Sequence, residues 1–141
     1  MTEQLLPLWR YRIEHVDTDS FGVTHFSRYA SLLETVLLEA FETTGVGLAA
    51  LGVELMVTEL RIRYLAPARF RDVIIGAAGL DHLGAAHLRC RASLFREEAA
   101  GEPTRLVDGE LRLASVSGAT GRPAPLPASA RAVWKGLMAH A

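Results

Sequence analysis

The sequence predicts an α+β fold, one long helix lying against an antiparallel sheet of about five strands. Three observations carry this expectation. An amphipathic strand pattern opens the chain, a long helical pattern follows it, and strand patterns with short connections fill most of the remainder. Strands joined so closely cannot be parallel neighbours, because a parallel crossover needs roughly a dozen or more residues.

Trp9, Tyr11 and Ile13 alternate with Arg10, Arg12 and Glu14, the period of a half-buried strand. D-T-D-S-F-G, residues 17–22, breaks that pattern with turn chemistry. From about His25 to Thr43 the period becomes helical. Tyr29, Leu33, Val36, Leu37, Ala40 and Phe41 fall on one face, and Ser31, Thr35, Glu39 and Glu42 fall opposite. A helix of about 18 residues is roughly 27 Å long, enough to span a small sheet. Gly45 and Gly47 are its stop signals.

Val53, Leu55 and Val57 alternate in one phase and Leu60, Ile62 and Tyr64 in the other, so a bulge is expected near Thr58–Glu59. Pro67 ends that strand. Asp72 to Leu83 is the next strand. Leu88, Cys90, Ala92 and Leu94 then alternate with His87, Arg89, Arg91 and Ser93, and Val107, Leu111 and Leu113 with Asp108, Glu110 and Arg112. The segment Glu97 to Thr104, with Gly101 and Pro103, reads as a hairpin connection. Residues 118–141 form a Pro-rich tail with a short helix expected around Ala130 to Met138. No repeat or composition shift marks a second domain, so residues 1–141 read as one domain.

Composition excludes several function classes. Fifteen basic and 16 acidic residues leave a net charge of -1, no footprint for nucleic acid. One cysteine, Cys90, permits neither an internal disulfide nor a cysteine-based zinc site, and its alternation with apolar residues makes it a small core side chain. The start, M-T-E-Q-L-L-P-L-W-R, lacks a basic region followed by an apolar run, and no uncharged apolar stretch suits a bilayer. A cytoplasmic protein with no membrane partner is the expectation. His15, Asp17 and Asp19 would share one face of an extended strand, but no H-x-x-x-H or H-E-x-x-H accompanies them. No metal site and no cofactor are expected.

The chemistry concentrates at Val16 to Tyr29. The turn brings the Asp17 and Asp19 carboxylates close to a helix N-terminus, where unpaired N–H groups favour developing negative charge. A carboxylate facing such a hole suits attack on a carbonyl. Backbone N–H groups near Thr24 and His25 are the expected oxyanion donors, although Thr24 or Ser27 could equally cap the helix. Gly22 supplies a positive φ or a close backbone approach, or is an ordinary turn glycine. Asp17 reads as a structural hydrogen-bonding residue. Glu34, at the flank of the apolar face, is either a partner for Asp19 or a solvated boundary residue.

The run Asp19-Ser20-Phe21-Gly22-Val23-Thr24-His25-Phe26, with Tyr29 in the later slot, resembles the opening motif of hotdog-fold thioesterases of the 4-hydroxybenzoyl-CoA thioesterase type. R-I-R-Y-L-A-P-A-R-F-R-D, Arg61 to Asp72, and T-G-R-P-A-P-L-P, Thr120 to Pro127, resemble two further family segments, so the likeness covers nearly the whole chain. It implies a sheet wrapped around a central helix, and hydrolysis of an acyl or aroyl thioester of coenzyme A or acyl carrier protein. Asp19 would be nucleophile or general base. It further implies Phe26 and Tyr29 near the substrate, a homodimer with the site at its interface, and often a tetramer. His25 stands where the family commonly has tyrosine or tryptophan. Arg61, Arg63, Arg69 and Arg71 are candidates for the substrate phosphates, or a salt-bridged strand edge. Two other readings remain open: a hotdog hydratase or dehydratase working through His25, and a non-catalytic acyl-thioester-binding module.

Overall fold

The computed structural model describes residues 9–46 and 51–138. Gly47, the first eight residues of the leader reading and the last three of the tail lie outside the described residues.

β1 (Trp9–Arg12) alternates half-buried and exposed side chains, as its sequence requires. A 3-10 turn (His15–Asp17) and a tight loop lead into α1 (Phe26–Glu42), one residue later than the helical period suggests because His25 serves as the N-cap. The buried face of α1 is Tyr29, Leu32, Leu33, Val36, Leu37, Ala40 and Phe41, the expected stripe with Leu32 added. β2 (Glu54–Tyr64), β3 (Val73–Leu83), β4 (His87–Arg96) and β5 (Thr104–Val116) follow. The register of β2 against β5 shifts between Val57 and Glu59, where the change of hydrophobic phase places a bulge. All neighbours are antiparallel, in the order β1-β3-β4-β5-β2. A five-stranded antiparallel sheet holding one long helix matches the hotdog architecture.

Helix and sheet meet at two glycines. A Cβ on Gly76 of β3 would lie 2.3 Å from Val36 Cγ2, and one on Gly109 of β5 would lie 2.7 Å from Leu33 Cδ1. The missing side chains let α1 sit down on the sheet, and interior packing tolerates little extra volume. The helix N-terminus, and with it the 17–25 loop, is thereby held at a fixed height above β1 and the β2–β3 connection.

The tail behaves as composition suggests up to Pro127. It then forms α2 (Ala128–Trp134) and a 3-10 turn (Lys135–Leu137), starting two residues before the expected helix and losing α geometry sooner. Trp134 packs on Phe41 with ring centroids 4.4 Å apart and closes that end of the core. The Arg131 guanidinium donates to the Gly84 carbonyl, and Met138 bridges to Leu80 beyond the reach of β1. Among the described residues no helix is long and apolar enough to cross a membrane.

Gly76→Ala should destabilise the fold by about 1–3 kcal/mol, the cost of overpacking. Urea denaturation checks this, and the loss should shrink when Gly76→Ala is combined with Val36→Ala. An equal loss in both backgrounds would place the strain elsewhere.

Candidate active site

The site is assembled around Asp17. Its carboxylate has 0% exposure and accepts from the Tyr11 hydroxyl (2.7 Å), the Glu14 N–H (2.8 Å) and Arg28 Nε (2.6 Å). Its own carbonyl accepts the His25 N–H at 2.8 Å. One residue thus ties β1, the 3-10 turn and the first turn of α1 together. Burial works to raise the Asp17 pKa, but the bonds from Tyr11, Glu14 and Arg28 and the Arg28 charge outweigh it and leave it below the ordinary carboxylate value. The Tyr11 pKa is raised, first by burial and then by its bond to Asp17.

Between the two ends of this clamp the chain makes a tight turn. Asp19 N–H donates to the Val23 carbonyl (2.8 Å) and Gly22 N–H to the Asp19 carbonyl (3.1 Å), with Gly22 at φ +75°. That left-handed conformation is the positive φ expected of Gly22. Asp19 Oδ1 accepts from Phe21 N–H (2.8 Å) and, more weakly, from Val23 N–H (3.3 Å). The local Asx hydrogen bond is therefore present. It occupies Oδ1 alone; Oδ2 takes no protein donor among the described residues. The turn bonds fix the carboxylate through one oxygen and leave the other without a protein donor among the described residues.

Residues 68–70 flank the turn. Thr24 N–H donates to the Ala68 carbonyl (2.8 Å), Phe70 N–H to the Gly22 carbonyl (3.2 Å), and Val23 bridges to Arg69. Ala68 N–H in turn donates to the Tyr29 hydroxyl (3.1 Å), and the Tyr64 hydroxyl donates to the Phe26 carbonyl (3.2 Å).

These bonds correct the oxyanion donors read from sequence. The N–H groups of Thr24 and His25 are spent on Ala68 and Asp17. The Ser27 N–H donates to His25 Nδ1 at 3.2 Å. The donor left at the helix start without a protein acceptor, among the described residues, is the Phe26 N–H. Several other sequence candidates also move. Thr24 is only 3% exposed, with Oγ1 buried and unpartnered, so it belongs to the underside of the turn. Tyr29 is buried and its hydroxyl accepts the Ala68 N–H. Glu34 is exposed with no bond to Asp19, eight residues into a helix that rises about 12 Å over that length. Arg61 lies on β2 with its Nε 3.4 Å from Glu59. The structure brings together Asp19, Gly22, His25, Phe26 and Arg69.

His25 is exposed, stacked on Phe26 with centroids 4.6 Å apart, and its Nδ1 is 2.7 Å from Ser27 Oγ. Exposed apolar side chains ring the turn: Phe21 is 84% exposed, Val16 79% and Phe26 68%. The described residues contain no group of three or more His, Cys, Asp or Glu able to hold a metal. The Cys90 thiol is pushed up to about 12 by burial and by the Asp81 charge, the behaviour of a core residue. Arg28 escaped the sequence reading altogether. Its only signal is an arginine one turn into the helix that follows an acidic turn.

The sequence profile of the Thioesterase-like superfamily matches residues 13–133. No curated protein matches the chain. Among solved structures, a hypothetical protein from Thermus thermophilus is similar at 30% identity with a TM-score of 0.81, covering 92% of this chain and 97% of that one. A probable thioesterase from Bartonella henselae is similar at 21% identity and a TM-score of 0.76, covering 84% and 97%. An aspartate-to-asparagine mutant of 4-hydroxybenzoyl CoA thioesterase, complexed with 4-hydroxybenzoyl CoA, is similar at 16% identity and a TM-score of 0.81, covering 89% and 96%. The last two show the fold.

Asp17→Asn should cost roughly 1.5–3 kcal/mol of stability at neutral pH, the worth of a hydrogen bond to a charged group. Because the Asp17 pKa is lowered on folding, its contribution is complete above the unfolded value near 3.9 and is lost as pH falls through the folded value. Denaturation curves of wild type and Asp17→Asn should therefore converge below about pH 4. A gap that is constant down to pH 2 would remove the ionised carboxylate from the account.

Proposed function

The chain belongs to the Thioesterase-like superfamily, and from that premise we propose that it hydrolyses an acyl or aroyl thioester of coenzyme A or an acyl carrier protein. What supports this reading is a half-bonded Asp19 carboxylate in the turn that leads into α1, whose first N–H, that of Phe26, has no protein acceptor among the described residues. A thioester carbonyl seated between them meets a nucleophile or base on one side and a hydrogen-bond donor on the other.

Asp19 Oδ2 attacks the carbonyl carbon, or takes a proton from a water that does so. In either case the carbonyl oxygen gains negative charge, which the Phe26 N–H and the positive end of α1 receive. Collapse breaks the C–S bond and expels the thiolate. If Asp19 attacks directly, water then hydrolyses the mixed anhydride and restores the carboxylate. The Asp17 clamp keeps the two groups in register, since it holds the residues on either side of the turn. Orientation of this kind accounts for a large share of enzymatic rate enhancement.

A hydratase working through His25 fits less well, because His25 Nδ1 is engaged by Ser27 as the helix cap. A binding module without turnover leaves the unbonded Asp19 oxygen without a purpose.

The site lies open in one protomer. β2 is a sheet edge carrying the exposed Met56, Val57 and Tyr64, with exposed Leu65 just beyond its end, and exposed Phe21 lies in the Asp19 turn with exposed Phe26 opening α1. Unpaired edges and apolar patches of this kind mark association surfaces. We infer a homodimer formed through the β2 edges, whose second copy covers these side chains and walls the site.

Asp19→Asn should lower kcat for thiol release by at least a hundredfold while leaving the fold intact, measured on a panel of acyl-, aroyl- and β-ketoacyl-CoA thioesters. Undiminished release would move the chemistry to another residue. Met56→Lys on the β2 edge should shift sedimentation towards the monomer and lower activity with it; an unchanged sedimentation coefficient would contradict the edge pairing.

A further inference from the structure

Resting on the thioesterase reading, we propose that His25 is a positioning residue for the oxyanion donor and serves only as a neutral imidazole, so that the start of α1 responds to pH. N-cap positions favour serine, threonine, aspartate and asparagine. This helix is capped by a histidine instead. Histidine is the side chain whose ordinary charge change falls between about pH 5 and 8.

His25 holds the helix start by three bonds. Its N–H donates to the Asp17 carbonyl (2.8 Å), its carbonyl accepts the Arg28 N–H (2.9 Å), and its Nδ1 accepts the Ser27 N–H (3.2 Å). Its backbone is extended, with φ -62° and ψ 136°, the N-cap geometry in which a side chain folds back onto the N–H two residues later. The Phe26 N–H lies in the planar peptide unit that joins His25 to Phe26. The carbonyl bond to Arg28 holds that unit directly, and the ring cap closes over Phe26 to the residue beyond it. Together they set where the free N–H points. The ring is exposed, yet it is stacked on the Phe26 ring with centroids 4.6 Å apart and 28° between the planes.

A ring nitrogen that accepts a hydrogen bond carries no proton, so this cap requires a neutral imidazole with its proton on Nε2. Protonation reverses the role of Nδ1. It then donates to Ser27 Oγ, 2.7 Å away, and the Ser27 N–H loses its acceptor. A cation also comes to stand beside the positive end of α1, where the helix dipole disfavours it. Both changes loosen the turn that aims the Phe26 N–H.

Among the described residues no ion pair to His25 compensates that charge. The charged and titratable groups of the surrounding elements have other bonds. Asp17 and Arg28 are bonded to one another, and Asp19 is bonded to the N–H groups of its own turn. Tyr64 of β2 donates to the Phe26 carbonyl, and Arg69 stands across the bridge from Val23.

The test compares wild type with His25→Ala, which removes the cap, and His25→Asn, which restores an acceptor that stays neutral. In ligand-free protein, NMR follows amide hydrogen exchange at Ser27, corrected for the intrinsic rate, together with the His25 ring signals. Protection of Ser27 should fall in wild type as the ring gains its proton and stay constant in His25→Asn. Constant protection in wild type overturns the proposal. On the best thioester of the CoA panel, wild-type kcat should fall towards acid in a step between about pH 5 and 8 that His25→Asn lacks. At pH 8, His25→Ala should lower kcat about tenfold with little change in KM, and His25→Asn should recover most of the loss. A step that persists in His25→Asn, or a wild-type kcat that rises towards acid, overturns the proposal. If no thioester releases thiol, the thioesterase reading fails and the Ser27 measurement decides the pH-dependent cap by itself.

Discussion

The buried carboxylate of Asp17 is the constraint on which the rest of the site depends. A charge with no exposed surface is tolerated only when its oxygens are bonded. Here Tyr11, Glu14 and Arg28 meet that requirement from the strand before the turn, the turn itself and the helix after it. Because the same residue's carbonyl holds His25, the loop from 18 to 24 is closed at its base. The Asp19 turn can then be tight, and the Phe26 N–H can be left over, without the helix start losing its position. Removing the charge would take the shared anionic acceptor from the half-buried Tyr11 and Arg28.

The second constraint is packing. Gly76 and Gly109 open room for Val36 and Leu33, so α1 rests close on β3 and β5. Tyr29 and Tyr64 then reach from helix and sheet to the segment after β2, their rings meeting at 5.5 Å. Tyr29 supports Ala68, and Tyr64 reaches the Phe26 carbonyl. The sheet thereby positions residues 68–72 against the turn, although these residues are distant from it in sequence. Stability and site geometry share the same contacts, which is why few substitutions near the turn should affect one without the other.

Much of this was legible in the sequence. The alternation of Trp9 and Tyr11, the helical stripe from Tyr29 to Phe41 and the phase change at Thr58 all report local periodicities, which side-chain burial enforces. The Asp19 and Gly22 turn was legible for a similar reason, since its bonds lie within a few residues. What escaped were long-range partners. Nothing in the sequence announces that the Tyr29 hydroxyl sits under Ala68, and Arg61 looks like Arg69 until the register sets one against Glu110 and the other against Val23. The N–H groups of Thr24 and His25, read from sequence as oxyanion donors, donate instead to the carbonyls of Ala68, which no local spacing brings near, and of Asp17, whose nearness to the helix start was legible but whose claim on the His25 N–H was not. A backbone N–H is identified as available only after its competitors have been placed.

The account's central claim is that a substrate carbonyl sits between Asp19 and the Phe26 N–H. A crystal structure of the Asp19→Asn variant with a bound thioester tests it most directly. The account predicts the carbonyl oxygen about 2.7–3.1 Å from the Phe26 nitrogen, as oxyanion donors require, with its carbon against the side chain at position 19. A carbonyl bonded to a different donor, with Phe26 N–H turned to solvent or to another protein acceptor, would contradict it.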